Sequence, residues 1–384
     1  MKRPSYILPL IIFSQFAGTS LWFAGNAVID DLARDRQIVD VSIAAITNAV
    51  QFGFILGTLV FAVLAISDRF PGRWVFFSCA LAGAASNASI LFNFMGIEPL
   101  VLLRFLTGFF LAGIYPVGMK IASGWYEKGL GRALGYLVAA LVIGTAFPHL
   151  LWGVGIRLSW QIVIIATSLL AIAGGASILL FVPDGPGRAV YSRFEPGKFL
   201  RIFENPVFRS SAFGYFGHMW ELYAFWAFLP IWLGHYNAQS SVEVNVSLWT
   251  FAIIAIGAFG CIFGGLISES KGSRYVAGFY LRTSTICCMI SPLFFLGNTY
   301  ILGVFLSIWG MAVIGDSPQL SAMNAANAPR HYVGSALTIV NSLGFGITIF
   351  SIALVSWLLP YINVQYLFLV LAPGPLFGLW FLRR

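Results

Sequence analysis

Charged residues are scarce in this chain. They make up 9% of its 384 residues, whereas a soluble domain carries about 25%. Hydrophobic residues reach 59%. A chain so poor in charge cannot cover its surface with groups that water solvates. The composition therefore excludes an ordinary soluble protein and predicts a protein that lies in a membrane.

Residue patterns typical of enzymes and metal sites are also missing. The four cysteines, Cys79, Cys261, Cys287 and Cys288, lie in apolar stretches without metal-ligand spacing, so we interpret them as packing residues. The chain has no phosphate-binding glycine loop before a lysine, no nucleophile motif and no separate soluble domain. We therefore expect neither an enzyme nor a protein that uses a metal or a cofactor.

Long apolar runs are abundant, and each is long enough to cross about 30 Å of hydrocarbon. The first run is too long for the apolar core of a signal peptide, so we interpret it as a membrane span. The sequence predicts an all-α, polytopic membrane protein with twelve transmembrane helices in two pseudo-symmetric bundles of six. The predicted spans are 6–29, 42–66, 74–95, 99–124, 133–153, 160–182, 211–234, 247–268, 276–296, 300–322, 332–358 and 362–382.

The lysines and arginines are unevenly distributed between the two sides of the membrane. One side holds only Arg34, Arg36 and Arg157, while Arg104, Lys120 and Arg282 fall within apolar runs. The other side holds Lys2, Arg3, Arg69, Arg73, Lys128, Arg132, Arg188, Arg193, Lys198, Arg201, Arg209, Lys271, Arg274, Arg330, Arg383 and Arg384. Basic loops face the cytoplasm. The net charge of +8 thus reports topology and not nucleic-acid binding. It predicts a multi-pass protein of a bacterial inner membrane with both termini in the cytoplasm.

An internal repeat divides the chain into two halves. Short motifs recur at offsets of 201, 202 and 203 residues: Asp68 to Arg73 with Glu269 to Arg274, 113–116 with 315–318, and 131–135 with 334–338. Such repeats are typical of transporter folds. We predict a bundle over 1–182, a cytoplasmic linker over 183–209 and a second bundle over 210–384.

These motifs resemble those of the major facilitator superfamily, and the resemblance covers essentially the whole chain. The family has an acidic-basic-glycine-basic loop after its second helix. Asp68, Arg69, Gly72 and Arg73 match it with one extra residue of spacing, and Gly265, Glu269, Gly272 and Arg274 form the second copy. The fourth-helix arginine motif corresponds to Arg104, Thr107 and Gly108. The glycine-rich fifth-helix motif of exporters is reduced to Gly144 and Pro148, which leaves import and export both open.

The resemblance implies alternating access, in which the two halves open a central cavity to each side in turn. Helices one, four, seven and ten typically line that cavity. The two loop motifs then imply a gate on the cytoplasmic side. The predicted gating residues are Asp68, Arg69, Arg73, Glu269, Arg274 and Lys120.

Charged residues within apolar spans need a reason, because each costs about 2.5–3.5 kcal/mol at the centre of a helix. Arg104 is the first candidate for substrate binding, since a guanidinium holds a carboxylate or phosphate through paired hydrogen bonds. The alternative is a structural arginine that ties helices together. Gln15 in the first span and Tyr223 in the aromatic seventh span are further candidates for substrate contact. Each of them has packing as its alternative role.

Three residues are predicted to couple transport to protons. His218 and Glu221 lie three residues apart on one helical face. Burial disfavours the charged form of a carboxyl group, and histidine titrates near neutral pH, so the two residues can carry a proton. Their alternative role is a hydrogen-bonded pair that fixes packing. Asp316 lies just before Pro318, where we expect a helix break, and it has Lys120 as a possible partner.

These observations predict a secondary active transporter that couples protons to the movement of a small organic anion or polar metabolite. Three intramembrane cations outnumber two carboxylates, which favours an anion. The alternative is an exporter of amphipathic compounds or drugs in exchange for protons, which the many aromatic residues favour. The expected partners are a small-molecule substrate, protons and membrane lipid, and we expect the protein to act as a monomer.

Overall fold

The chain folds into α-helices, and the described residues contain no β-strand. The computed structural model describes residues 4–38, 42–92, 96–126, 130–154, 159–183, 185, 201–295, 297–328 and 333–383. The described chain forms two compact units, Met1–Phe194 and Glu195–Arg384. Each unit contains six helical spans within these residues, so the predicted all-helical architecture with twelve spans is confirmed.

The N-terminal unit has nine α-helices among the described residues. Eight of them build its six spans, and Ile66–Arg69 is a single turn between the second and third spans. Two of these spans are interrupted, so that each comprises two shorter helices. The helices are α1 Ile7–Thr19, α2 Ala24–Arg36, α3 Ile43–Val63, α4 Ile66–Arg69, α5 Gly72–Ala88, α6 Glu98–Leu111, α7 Tyr115–Trp125, α8 Leu130–Val154 and α9 Trp160–Phe181.

The C-terminal unit repeats this plan with eight α-helices, and its last span begins with a 3-10 helix over Val364–Leu371. The helices are α10 Pro206–Gln239, α11 Val246–Ala255, α12 Gly257–Lys271, α13 Ser273–Phe295, α14 Thr299–Gly315, α15 Ser317–Asn327, α16 Val333–Leu358 and α17 Pro373–Leu382.

Ten of the twelve spans satisfy the length and hydropathy expected of membrane helices. The other two are α10 and α13, which carry more polar residues. α10 has 34 residues and is about 50 Å long at 1.5 Å per residue. It exceeds the predicted span of 211–234 because Asn205 caps its N-terminus, where the side chain accepts hydrogen bonds from the N–H groups of Val207 and Phe208.

Proline breaks the fourth span of each unit at equivalent positions. Pro116 follows the break between α6 and α7, and Pro318 follows the break between α14 and α15. A proline has no N–H, so the carbonyl four residues earlier loses its helical partner. In the C-terminal unit that carbonyl belongs to Ile314, and the Cys261 Sγ–H donates to it at 3.6 Å. The break predicted from Pro318 is therefore present, and it places Asp316 between two helices.

Glycines bring the second and fourth spans of each unit into backbone contact. A Cβ on Gly57 would overlap the Phe109 carbonyl, and one on Gly260 would overlap the Met311 carbonyl. The second of these contacts lies 202 to 203 residues after the first. The two halves therefore share a packing detail as well as sequence motifs. Backbone approach of this kind is typical of membrane helix interfaces.

Candidate functional site

A histidine and an aspartate meet inside the C-terminal unit. His218 lies on α10, and its Nδ1 is 2.8 Å from the Asp316 Oδ1 at the break before α15. Both side chains are buried. Because α15 begins at Ser317, the carboxylate also lies at the positive end of that helix. The break in the tenth span thus positions an ionisable group opposite the middle of α10.

Glu221 lies one helical turn further along α10, and three donors surround one of its oxygens. Oε1 accepts hydrogen bonds from the Ser284 Oγ–H at 2.6 Å, the Trp309 Nε1–H at 2.7 Å and the Cys288 Sγ–H at 3.3 Å. Ser284 and Cys288 belong to α13, and Trp309 belongs to α14. Three spans therefore converge on a single carboxyl oxygen.

Aromatic side chains enclose the Glu221 site. The Trp309 ring packs against Phe225 at 4.5 Å and against Phe368 at 5.4 Å, both measured between ring centroids. Tyr223 is buried close by in sequence, but its ring faces Trp226 and Phe345 at 5.4 Å each. The carboxyl group consequently lies in apolar surroundings that exclude water on the sides covered by these rings.

The arrangement is suited to holding and releasing a proton. Hydrogen bonds from Ser284 and Trp309 favour the charged form of Glu221, whereas burial favours its neutral form. Glu221 and Asp316 also interact electrostatically, so adding a proton to either group relieves repulsion between them. His218 adds a third ionisable group, 2.8 Å from the Asp316 carboxyl group. The described site therefore contains three ionisable groups that influence one another.

His218 and Glu221 share a helical face, yet they use different partners. His218 contacts Asp316, and Glu221 contacts residues of α13 and α14. The alternative of a packing pair between His218 and Glu221 is therefore not what the structure shows. Their roles in proton coupling stay a prediction.

Arg104 lies in the N-terminal unit, and its guanidinium group is bound to protein atoms. Nη2 donates to the carbonyls of Leu21 and Trp22 at 2.9 and 2.6 Å, and Nη1 donates to the Asn87 Oδ1 at 2.9 Å. Both carbonyls lie at the interruption between α1 and α2, where helical hydrogen bonding is lost. Asn87 in turn donates to Ser168 on α9 at 3.0 Å. The described contacts thus give Arg104 a structural role, and its binding of substrate stays a prediction.

Gln15 on α1 is buried, but its carboxamide has no hydrogen-bond partner among the described residues. Oε1 lies where a side chain on Gly118 would be, on the neighbouring α7. The buried carboxamide of Gln51 on α3 likewise has no hydrogen-bond partner among the described residues. Buried polar groups usually have partners. These two amides therefore keep unused hydrogen-bonding capacity inside the N-terminal unit.

The predicted gating residues of the two loop motifs lie at helix ends in both units. Arg69 ends the short helix α4, and Arg73 lies in the first turn of α5. The side chain of Asp68 lies outside the described residues. The Lys120 Nζ donates to the Ser67 carbonyl, while Asp316 contacts His218. The predicted pair between Lys120 and Asp316 stays a prediction.

The second copy of the gate motif lies at the α12–α13 turn. Glu269 lies near the end of α12, and the turn after it has Gly272 at a positive φ of 83°. In this conformation a residue with a Cβ is strained. The Arg274 Nη2 donates to the Ser210 Oγ on α10 at 3.2 Å. Arg274 therefore links the turn to the seventh span.

The sequence alone does not reveal the partners of these groups. Ser284, Cys288 and Trp309 carry no motif, and they lie 63, 67 and 88 residues from Glu221. Asn87, the partner of Arg104, carries no motif either. The available signal is that Ser284 is a polar residue within the otherwise apolar ninth span. Polar residues within an apolar helix favour interhelical hydrogen bonds.

Comparison with known proteins extends these observations. A family sequence profile described as Major Facilitator Superfamily matches residues 10–351. No curated protein sequence matches the chain. The fold is similar to a crystal structure of the human organic anion transporter MFSD10 (TETRAN), with a TM-score of 0.71 and 14% identity. That alignment covers 99% of this chain and 100% of the other.

A second similar structure is a bacterial homolog of the human lysosomal transporter Spinster, in an inward-facing and unoccupied conformation. It has a TM-score of 0.66 and 15% identity, and the alignment covers 99% of this chain and 94% of the other. Identities this low establish the shared fold. The profile covers most of the chain and agrees with the repeat, the paired proline breaks and the twelve spans. The protein therefore belongs to the major facilitator superfamily of membrane transporters.

Proposed function

We propose that the protein is a proton-coupled secondary transporter that moves a small organic anion or another polar metabolite by alternating access. The observation that carries this proposal is the buried set of His218, Glu221 and Asp316 within the C-terminal unit. Buried carboxyl groups in a membrane protein are costly and are mainly kept for function. Here one of them contacts a histidine, and the two interact electrostatically.

Proton binding changes the charge of this set in a way that suits coupling. With both carboxyl groups charged and His218 neutral, the set carries two negative charges in apolar surroundings. One proton on Glu221 halves that charge and leaves Ser284 and Trp309 as donors to a neutral acid. A conformational change that moves the carboxyl group towards water favours release of the proton again. Alternating access supplies such a change in this family.

The pH dependence of transport would involve the groups that face the set from every packed helix. Beyond the three residues named above, these groups come from α12 and α13, and a hydrogen-bond donor comes from α14. They are Cys261, Tyr280, Cys287, Cys288, Ser284 and Trp309. The thiols and the phenol ordinarily titrate above pH 8. We therefore assign the exchanged proton to the carboxyl groups of Glu221 and Asp316, with His218 beside them.

A polar substrate is supported by the unpaired carboxamides of Gln15 and Gln51. A ligand that hydrogen-bonds both atoms of a carboxamide removes the cost of leaving them unpaired. The similar MFSD10 structure is that of an organic anion transporter, which supports the anion among the polar candidates. Arg104 and Tyr223 remain proposed substrate contacts, with Arg104 acting from its position beside the interruption of the first span.

The proposal also includes the topology and the gate. We place the chain in a bacterial inner membrane as a monomer, with both termini in the cytoplasm. The positive-inside distribution of basic residues supports this orientation. The gate would comprise Asp68, Arg69, Arg73 and Lys120 in one half and Glu269 with Arg274 in the other.

A second candidate function is export of amphipathic compounds in exchange for protons. It is favoured by the aromatic enclosure of Glu221, in which Phe225, Trp309 and Phe368 pack closely together. A lipophilic cation could use such rings together with the carboxylate. The two functions differ in the sign of the substrate's charge.

The test begins with a ligand screen and continues with transport. Purified protein is screened by thermal shift against organic anions, sugars, amino acids and lipophilic cations. A ligand at a hundred times its Kd stabilises the protein by about 2.7 kcal/mol. The ligand that stabilises the protein is then followed in proteoliposomes with an imposed pH gradient. We expect an anion to accumulate, and accumulation of a lipophilic cation would favour the exporter.

The Glu221→Gln variant separates proton coupling from binding. Glutamine preserves the shape and can still accept the hydrogen bonds of Ser284 and Trp309, but it cannot carry a proton. We expect this variant to keep ligand exchange between equal pools and to lose accumulation driven by the pH gradient. Glu243→Gln, in the exposed loop before α11, is the matched control. Full gradient-driven accumulation by Glu221→Gln would contradict the proposed coupling.

A further inference from the structure

A groove with a strongly basic lining lies in the C-terminal unit, away from the His218 and Glu221 site. Its volume is about 460 Å³, and it lies between α13 and the end of α17. Four cations line it, and none of them forms an ion pair with a carboxylate among the described residues. They are Lys271, Arg274, Arg282 and Arg383. We call it the basic groove.

The basic groove follows one face of α13. Arg274, Gly278 and Arg282 are spaced four residues apart, so they lie above one another on the helix. The Arg282 Nη2 lies 3.6 Å from the position that a Cβ on Gly278 would occupy. The guanidinium therefore lies back along the helix towards Arg274 and the α12–α13 turn, in the space left free by the missing side chain. The charges of Arg282, Arg274 and Lys271 thereby lie towards the same end of α13.

Arg282 is poorly placed for a residue without a counter-ion. It is exposed and lies nine residues after Ser273 at the start of α13, which is about 14 Å along the helix. An arginine at this depth is costly, and long cationic side chains lower the cost by extending towards the membrane surface. The conformation over Gly278 is such an extension. An anion at the membrane surface would neutralise the remaining charge of Arg282.

The remaining lining of the basic groove is apolar. Leu379 and Leu382 on α17 form one wall. Tyr275 is 50% exposed, and the Lys271 Nζ lies 5.1 Å from the centre of its ring. Tyrosine is enriched where membrane helices meet the water interface. The groove thus combines cations at its end with an apolar wall along a membrane span.

We propose that the basic groove binds an anionic glycerophospholipid. The headgroup phosphate lies among Arg282, Arg274 and Arg383, whose guanidinium groups match its oxygens. One acyl chain lies along Leu379 and Leu382. Basic pockets between membrane helices are suited to such headgroups. The apolar wall distinguishes this ligand from free phosphate, which gains nothing from it.

Lipid binding would connect three parts of the C-terminal unit. Arg274 already donates to Ser210 on α10, and Arg383 follows the last turn of α17. A phosphate held by both arginines ties the α12–α13 turn to the end of the chain. The lipid therefore stabilises this end of the unit, and its binding does not depend on the transported substrate.

The test measures lipid affinity of the full-length protein in detergent micelles by native mass spectrometry. Phosphatidylglycerol is titrated against the parent and against the double variant Arg282→Gln, Arg383→Gln. Each cation near a membrane surface changes the affinity for anionic lipid about fivefold, so the double variant is expected to bind about 25-fold more weakly. Zwitterionic phosphatidylcholine is expected to bind the two proteins equally. Both replaced side chains are exposed, so the variant keeps its fold.

The matched control is the double variant Arg34→Gln, Arg209→Gln, which loses the same charge at exposed positions outside the groove. We expect it to bind phosphatidylglycerol as the parent does. Equal affinity of the groove variant and the parent would overturn the proposal. An equal loss in the control variant would also overturn it, since net charge would then explain the effect. If inorganic phosphate raises the thermal stability of the parent as much as phosphatidylglycerol does, the groove is a site for a soluble anion instead.

Discussion

Replacing Trp309 with phenylalanine removes one donor from Glu221 and keeps an aromatic ring in place. The Trp309 Nε1–H donates to Oε1 of Glu221 at 2.7 Å. Phenylalanine cannot donate, and its smaller ring still lies among Phe225 and Phe368. The change therefore tests whether the buried carboxyl group depends on its donors. Because Trp309 is fully buried, water does not replace the lost bond without local rearrangement.

The expected loss of stability is about 1.5 kcal/mol. A hydrogen bond to a charged group contributes about 1.5–3 kcal/mol, whereas hydrogen bonds between membrane helices average about 0.6 and reach about 1.7 kcal/mol. The value lies near the top of the membrane range when Glu221 is charged, because the acceptor is then a carboxylate. Phenylalanine also buries less apolar surface than tryptophan, and this contribution has to be subtracted.

The Trp232→Phe variant measures the stability that is lost with the smaller apolar surface alone. Trp232 lies on α10, is fully buried and has no hydrogen-bond partner for Nε1 among the described residues. The difference between the two variants in the free energy of unfolding isolates the hydrogen bond. It is measured by titration with sodium dodecyl sulfate in mixed micelles, followed by circular dichroism. Ser284→Ala and Ser291→Ala form a second matched pair on α13, since Ser291 donates to its own helix at the Cys288 carbonyl.

A double-mutant cycle with Glu221→Gln then tests the charge of the acceptor. Hydrogen bonds to neutral groups contribute about 1 kcal/mol less than those to charged groups. Trp309→Phe is therefore expected to cost about 1 kcal/mol less in the Glu221→Gln background than in the parent. Equal costs in both backgrounds would refute the reasoning, because they would show that Glu221 is neutral in the folded protein.

Two further predictions concern the scaffold. Arg104→Gln leaves the carbonyls of the first-span interruption without their donor, which costs about 1–3 kcal/mol for each carbonyl. We therefore expect the free energy of unfolding to fall by more than about 2 kcal/mol in the same assay. A change as small as that of the exposed Arg34→Gln would contradict the structural role. Gly260→Ala should cost about 1–3 kcal/mol by overpacking against the Met311 carbonyl. Gly265→Ala on the same helix meets open space and should be neutral or stabilising, so equal effects at the two glycines would count against the close backbone contact.

Several features of the fold followed from the sequence because their causes are local. Apolar run length predicts spans, since one helix must cross the hydrocarbon by itself. Pro318 predicted the helix break at Asp316, because a proline removes a hydrogen bond wherever it lies inside a helix. The repeat at offsets of 201 to 203 residues likewise needed no structure to detect. The boundaries were less accurate where caps decide them, as at Asn205 before α10.

The partners of the buried charges depended on the tertiary structure. Sequence spacing put His218 beside Glu221, but packing of α10 against α13, α14 and α15 gives each a different partner. Arg104 was the first candidate for a substrate contact, yet the interruption of the first span exposes carbonyls that its guanidinium satisfies. A span's length and breaks are properties of one segment. A buried charge is instead compensated by whatever group the fold brings within about 3 Å, and that group comes from a distant segment of the chain.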